Sequence, residues 1–227
     1  MKLKNLLTIF LLIIGINTLA SDLSNKEKTV LVLEKAFNKN QDRSVLKYVN
    51  DKKYIQHNLQ AANGKNGLVG YLDYLKGKDI ETKVIRVFED NNYVVAQSLS
   101  RYENSYSHII DIFRFENGLM VEHWDNIESI KNKDLINNFP TTIKDIEKTK
   151  SNKDIVKKHI KNKKYGRNHL LLGQGEFVLA VNETNSIDKE IALYELFFVK
   201  RNKIEKSWKI KEEILPKDKW QNSNGKF

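Results

Sequence analysis

The chain has 227 residues, 30% of them charged, a formal net charge of +10 and no cysteine. The absence of cysteine excludes a disulfide framework, a thiol nucleophile and a thiolate metal site. The basic excess is scattered along the chain among many Asn and Ile residues. Its densest patch, Lys161-Asn162-Lys163-Lys164, has no interleaved aromatics, so nucleic acid is not an expected partner.

In chain order, Lys2 and Lys4 precede an apolar run from Leu6 to Ile16, and Thr18-Leu19-Ala20 then places small residues where a signal peptidase reads. This is the layout of a secretory signal over residues 1–20, with an apolar core short for a membrane span. The expectation is a periplasmic or secreted protein with no membrane association after cleavage. Asn25 to Asn38 reads as a helix because Val30, Leu33, Ala36 and Phe37 recur at three- and four-residue spacings. Arg43 to Val49 reads as a second, short helix, and Asn66 to Leu75 as a third, opened by the turn Asn63-Gly64. Strand patterns follow at Lys83 to Phe88, Tyr93 to Leu99, His108 to Phe115 and Leu119 to Ile127, with Asn117-Gly118 as a two-residue hairpin turn between the last two. Helices followed by a strand meander predict an α+β fold, three helices over one face of a curved antiparallel sheet, with a pocket between.

Residues 129–152 turn to Lys, Asn, Asp and Thr around Pro140 and read as a linker between a domain over 22–128 and a shorter one over 153–227. The shorter one is a repeat. A shift of 84 positions aligns Val87–Ala96 with Leu171–Ala180, Asp111–Phe115 with Glu195–Val199, and Trp124 with Trp208. This second copy has only Asp154 to Lys161 as a helix before its sheet begins at Asn168, so it is a truncated, sheet-rich copy. It is expected to cover the first copy's sheet as a built-in pseudo-dimer partner, a homodimer being the other arrangement.

Two clusters hold candidate chemistry: Tyr54-Ile55-Gln56-His57-Asn58 and Glu122-His123-Trp124-Asp125-Asn126. Strand alternation puts His123 and Asp125 on one face and Trp124 on the other. A histidine and a carboxylate two apart on one face can converge on one ligand atom and tune each other for proton transfer. The same spacing also fits the polar face of a half-exposed strand. Trp124 is a substrate-binding candidate, with the core as its alternative, because Trp208 persists where the polar neighbours do not. Asp111 has two placements. A simple turn at Asn117-Gly118 pairs it with Trp124, away from Asp125, whereas a bulge reverses that.

These strings, with Asn63-Gly64, Gly67-Leu68 and Asp111-Ile112-Phe113-Arg114-Phe115-Glu116-Asn117-Gly118, resemble the signature of SnoaL-like proteins. The likeness is to the nuclear-transport-factor-2-like superfamily, and to its branch described as predicted aldol-condensation-catalysing enzymes. It covers residues 25–128 well and 167–227 as a partial repeat, and the ending Trp220 to Phe227 is similar too. The resemblance implies a cone-like fold with a pocket and acid–base chemistry on a small apolar or carbonyl-containing ligand. It makes Asp125 the general acid/base and His123 the group that orients substrate or polarises a carbonyl. Tyr54 and His57 would line the mouth with Asp111 a further substrate contact, and no metal or cofactor is implied. A non-catalytic ligand-binding or interaction module is the alternative. Two departures stand out: Leu59 replaces the family's proline after His57-Asn58, and the second copy has Ser207 and Lys209 in place of His123 and Asp125.

Overall fold

The computed structural model describes residues 23–131, 139–163, 165–187 and 189–227. The expected signal segment at 1–20 and part of the expected linker, 132–138, lie outside the described residues. No helix among the described residues is long and apolar enough to cross a membrane.

The first unit begins with α1 (Asn25–Leu31), which continues through a wider turn over Val32–Ala36. A capping box starts it: the Ser24 hydroxyl accepts from the Glu27 backbone, while the Glu27 carboxylate accepts from the Ser24 backbone N–H. A 3-10 turn (Arg43–Tyr48) and α2 (Gly64–Leu75) complete the roof. Beneath them lies a five-stranded sheet in the order β1-β5-β4-β3-β2, with β1 Ile55–Gln56, β2 Ile80–Asp90, β3 Tyr93–Tyr102, β4 Ser105–Glu116 and β5 Leu119–Ile130. The sheet is mixed. β1 runs parallel to β5, pairing Gln56 with His123, whereas the sequence pattern had left residues 54–58 between helices. Two residues are too short a run to show strand periodicity.

Asn117 and Gly118 both adopt positive φ, as the tight hairpin requires. A bulge between Arg114 and Phe115 interrupts the β4–β5 ladder, so Asp111 pairs with Asp125 and Phe113 with His123. That one-residue slip decides the face on which Asp111 lies.

The second unit has α3 (Thr149–Asn162) and an antiparallel sheet of β6 Asn168–Gln174, β7 Phe177–Ser186, β8 Lys189–Lys200 and β9 Lys203–Glu213. The helix begins inside the stretch read as linker. Strand pairing in this sheet follows that of β2–β5 at a constant offset of 84. Val94 pairs with Phe113 and Val178 with Phe197; Ile112 pairs with Trp124 and Leu196 with Trp208. The bulge at Arg114/Phe115 has its counterpart at Phe198/Val199, and that at Val84/Arg86 its counterpart at Asn168/Leu170.

Alternation gives each sheet two apolar faces. The outer face of the first sheet (Phe88, Val95, Ile110, Ile112, Trp124) packs against the second sheet's Leu179, Val181, Tyr194, Leu196, Trp208 and Ile210 in one core. Its inner face (Val94, Ala96, Phe113) meets Leu33, Ala36 and Leu72 from the roof. The far face of the second sheet (Val178, Ala180, Phe197) meets Val156 and Ile160 of α3. The α+β molecule is therefore layered helices, sheet, sheet, helix. Each fully buried large side chain contributes about 1.5–3 kcal/mol, so the shared inter-sheet layer is a principal source of stability.

Candidate active site

Strand parity on β5 sends His123 and Asp125 to the inner face and Trp124 to the outer one. The bulge adds Asp111 from β4. Between these strands and the roof is a cavity of about 470 Å³. Leu33, Phe37, Leu68, Ile80 and Phe113 supply its apolar wall, and Asp111, His123 and Asp125 sit at its floor. All three polar groups are buried.

The loop after β1 orients them. Gln56 Oε1 accepts the Asn58 backbone N–H at 2.8 Å, which fixes the oxygen as the atom turned toward His123. His123 Nδ1 lies 3.2 Å from that oxygen and is therefore the donor. The other ring nitrogen, Nε2, lies 3.1 Å from Asp111 Oδ1. A bare Nε2 facing an ionised carboxylate would oppose two lone pairs. One proton therefore resides in this contact, on the imidazole or on Asp111. Burial raises the Asp111 carboxyl above the usual carboxylate range, with His123 opposing that rise.

Asp125 is held differently. Asn58 Nδ2 donates to its Oδ2 at 3.0 Å, whereas Oδ1 is buried with no hydrogen-bond partner. A buried acceptor oxygen left without a partner is costly. Tyr54 and Tyr71 also line the cavity; burial first, then the nearby Asp111 and Asp125, pushes the Tyr54 phenol up, so it acts as a neutral donor. Glu212, on β9 of the second unit, reaches the same cavity, and burial raises its carboxyl. Lys226 Nζ donates to Glu212 Oε1 at 2.8 Å and to the Asp125 backbone carbonyl at 2.8 Å.

Two expected contacts are corrected. His57 does not line the mouth. It is buried, stacks on Trp124 with ring centroids 4.6 Å apart, and places Nε2 2.9 Å from Glu122 and Nδ1 2.8 Å from the Gly225 carbonyl. Trp124 belongs to the inter-sheet core and not to the pocket. Parity explains both: Tyr54, Gln56 and Asn58 face the cavity, and the intervening His57 turns with Trp124 toward the other side of the sheet. The same rule applied to Tyr54–Asn58 would have picked out Gln56 and Asn58 from sequence. Nothing local marks Glu212.

Asp111, His123 and Asp125 offer one ligand atom each within 4.8 Å of one another. One imidazole and two carboxylates are donors that a divalent cation accepts. The shared proton at His123 Nε2 and the Asn58 hydrogen bond account for the same arrangement without one.

Neither a protein-family model nor a curated protein sequence matches the chain. Solved structures are similar over about half of it. IdmH of Streptomyces antibioticus, described as a candidate polyketide cyclase, is 12% identical, with a TM-score of 0.41 over 50% of this chain and 95% of that one. TsrD of Streptomyces laurentii is 18% identical, with a TM-score of 0.37 over 46% and 85%. A candidate ketosteroid isomerase of Kribbella flavida is 12% identical, with a TM-score of 0.38 over 52% and 93%.

Proposed function

We propose that the first unit binds a small, largely apolar carbonyl compound in its cone and transfers protons on it, in chemistry of the aldol, cyclase or isomerase type. The observation that carries this reading is Asp125, a cavity-lining carboxylate whose Oδ1 is buried without a hydrogen-bond partner, beside the proton-bearing His123–Asp111 pair. Asp125 Oδ1 takes a proton from the carbon next to the carbonyl, and the C–H electron pair moves into the enolate. The proton held between His123 and Asp111 passes to the developing oxyanion, or a tyrosine hydroxyl hydrogen-bonds to it. Return of the Asp125 proton to another carbon, with the enol O–H proton going back to the His123–Asp111 pair, completes an isomerisation. In an aldol reaction the enol carbon attacks a second carbonyl, the Asp125 proton goes to the new alkoxide and the enol O–H proton returns to the pair. A donor aimed at such an oxyanion in a dry site contributes about 3 kcal/mol to the barrier. Base and acid are thereby separated in space, a prerequisite for both acting in one turnover.

The test is hydrogen–deuterium exchange at the α-carbon of acetophenone in D₂O, followed by NMR. Wild-type protein accelerates exchange, and Asp125→Asn lowers the rate by about 10²–10⁴-fold while ligand binding persists. Binding without exchange in the wild type would instead mark a ligand carrier, the second reading, which the apolar wall of the cavity favours.

The same proposal includes export and duplication. The Met1 to Ala20 layout supports a periplasmic or secreted location, which cell fractionation checks. The constant offset of 84 and the shared bulges support descent of the second unit from a copy of the first, kept as a pseudo-dimer partner.

A further inference from the structure

The loop that orients the acid–base groups is held partly by its own hydrogen bonds, Gln56 N–H to Asn63 Oδ1 and Ala61 N–H to Asn58 O among them, and partly from outside. Gln56, which reaches His123, ends β1, and Asn58, which reaches Asp125, lies in the irregular stretch between β1 and α2. The backbone carbonyls of Gln56, Asn58, Leu59 and Ala61 all accept hydrogen bonds from the C-terminal tail of the second unit.

The chemistry of that tail is specific. Asn222 spends both amide protons on the loop, donating to Asn58 O at 2.8 Å and to Ala61 O at 2.9 Å. Asn224 does the same, donating to Gln56 O at 2.9 Å and to Asn63 Oδ1 at 2.7 Å. The Gln221 backbone N–H adds a bond to Leu59 O at 2.8 Å. Gly225 turns the chain at a positive φ, and its carbonyl accepts from His57 Nδ1 at 2.8 Å. Lys226, almost wholly buried, then anchors the tail against the Asp125 backbone and Glu212. Two amides with every donor used on one loop do more than fill space, because they set where Gln56 Oε1 and Asn58 Nδ2 point.

We infer that Asn222 and Asn224 are positioning residues for the first unit's site, so that the degenerate second unit completes the geometry of a site it cannot form itself. The inference rests on the acid–base reading of that site. The tail places the loop, the loop fixes the His123 ring and the Asp125 carboxylate, and those two groups meet the ligand.

The experiment is Asn222→Asp with Asn224→Asp in the full chain. The change keeps side-chain shape but turns donors into acceptors facing carbonyl oxygens. The chain has five histidines, and ring ¹H–¹⁵N correlation spectra report on each of them without any substrate. The expected result is displaced His123 and His57 ring resonances, with those of His108 and His159 unchanged. Acetophenone exchange should fall on the order of 10- to 100-fold in kcat with KM within about twofold, as misplacement of a reacting group produces. A His123 spectrum identical to wild type would overturn the inference, even if thermal stability fell, because the tail would then be only a staple. If the double variant does not fold, Asn222→Ala and Asn224→Ala singly are read by the same spectra. If wild-type protein shows no exchange, the acid–base reading fails on its own, and the histidine spectra still decide whether the tail positions the loop.

Discussion

The two sheets carry the same ladder and differ in what lies on their faces. At the centre of the first, Ala96, Asp111 and Asp125 stand side by side; at the centre of the second stand Ala180, Glu195 and Lys209. In the first unit two carboxylates face a chamber. In the second, Lys209 lies 3.4 Å from Glu195, and Tyr165 donates to the same carboxylate at 3.1 Å, so the charge is neutralised. Above the first sheet three helical segments leave a hollow, whereas above the second Val156 and Ile160 of a single helix pack directly onto the strands. A shared strand register therefore does not make a site. What makes one is a roof that stands off the sheet and acidic groups left without a full set of partners.

Replacement of Asp125 should break this contrast most severely. With Asp125→Asn the first unit loses its proposed base, as the second unit has Lys209 at that place, and α-carbon exchange should drop by about 10²–10⁴-fold at little cost in stability. Loss of the tail donors, read at His123, should follow with a smaller effect on turnover.

The outer faces sharpen the comparison. The first sheet carries a buried polar chain where the second has Leu170, Val181 and Ala192. Arg86 donates to Gln97 Oε1 at 2.7 Å and to the carbonyls of Pro140 and Phe139, so Gln97 Nε2 is left to donate to His108 Nε2 at 2.9 Å. His108 is thus neutral in the fold, and burial, with Arg86 nearby, lowers its pKa from 6.5 to about 4. A histidine depressed in the fold contributes stability that is complete above pH 6.5 and lost as pH falls through about 4. The span corresponds to about 3 kcal/mol. Urea midpoints measured from pH 7 to pH 4 should fall for wild type and fall less steeply for His108→Gln. Equal slopes would show that His108 is not the group charging on unfolding.

The smallest effect concerns α1 of the roof, which has no counterpart among the described residues of the second unit. Ser24→Ala removes the capping box of α1 and should cost about 1 kcal/mol, seen as a lower urea midpoint with an unchanged slope. A larger loss would mean that α1 is held mainly by its cap and not by Leu33 and Ala36 against the sheet.

Much of this molecule is written locally. The helix spacing of Val30, Leu33 and Ala36, the Asn117-Gly118 turn, the shared face of His123 and Asp125 and the 84-residue offset all follow from patterns within a few residues or from self-comparison. They are legible because alternation and turn conformation are short-range properties of the chain. The bulge at Arg114/Phe115 is not. It moves Asp111 from one face to the other, and a slip of one residue leaves no mark on the apolar pattern of either strand. Nor could the sequence bring Glu212 to the cavity, or lay Asn222 and Asn224 along the loop at 56–63. Those placements join residues more than 80, and in several cases more than 150, positions apart. They are fixed only when two packed sheets leave a single path for the tail and a single direction for each polar group to find its partner.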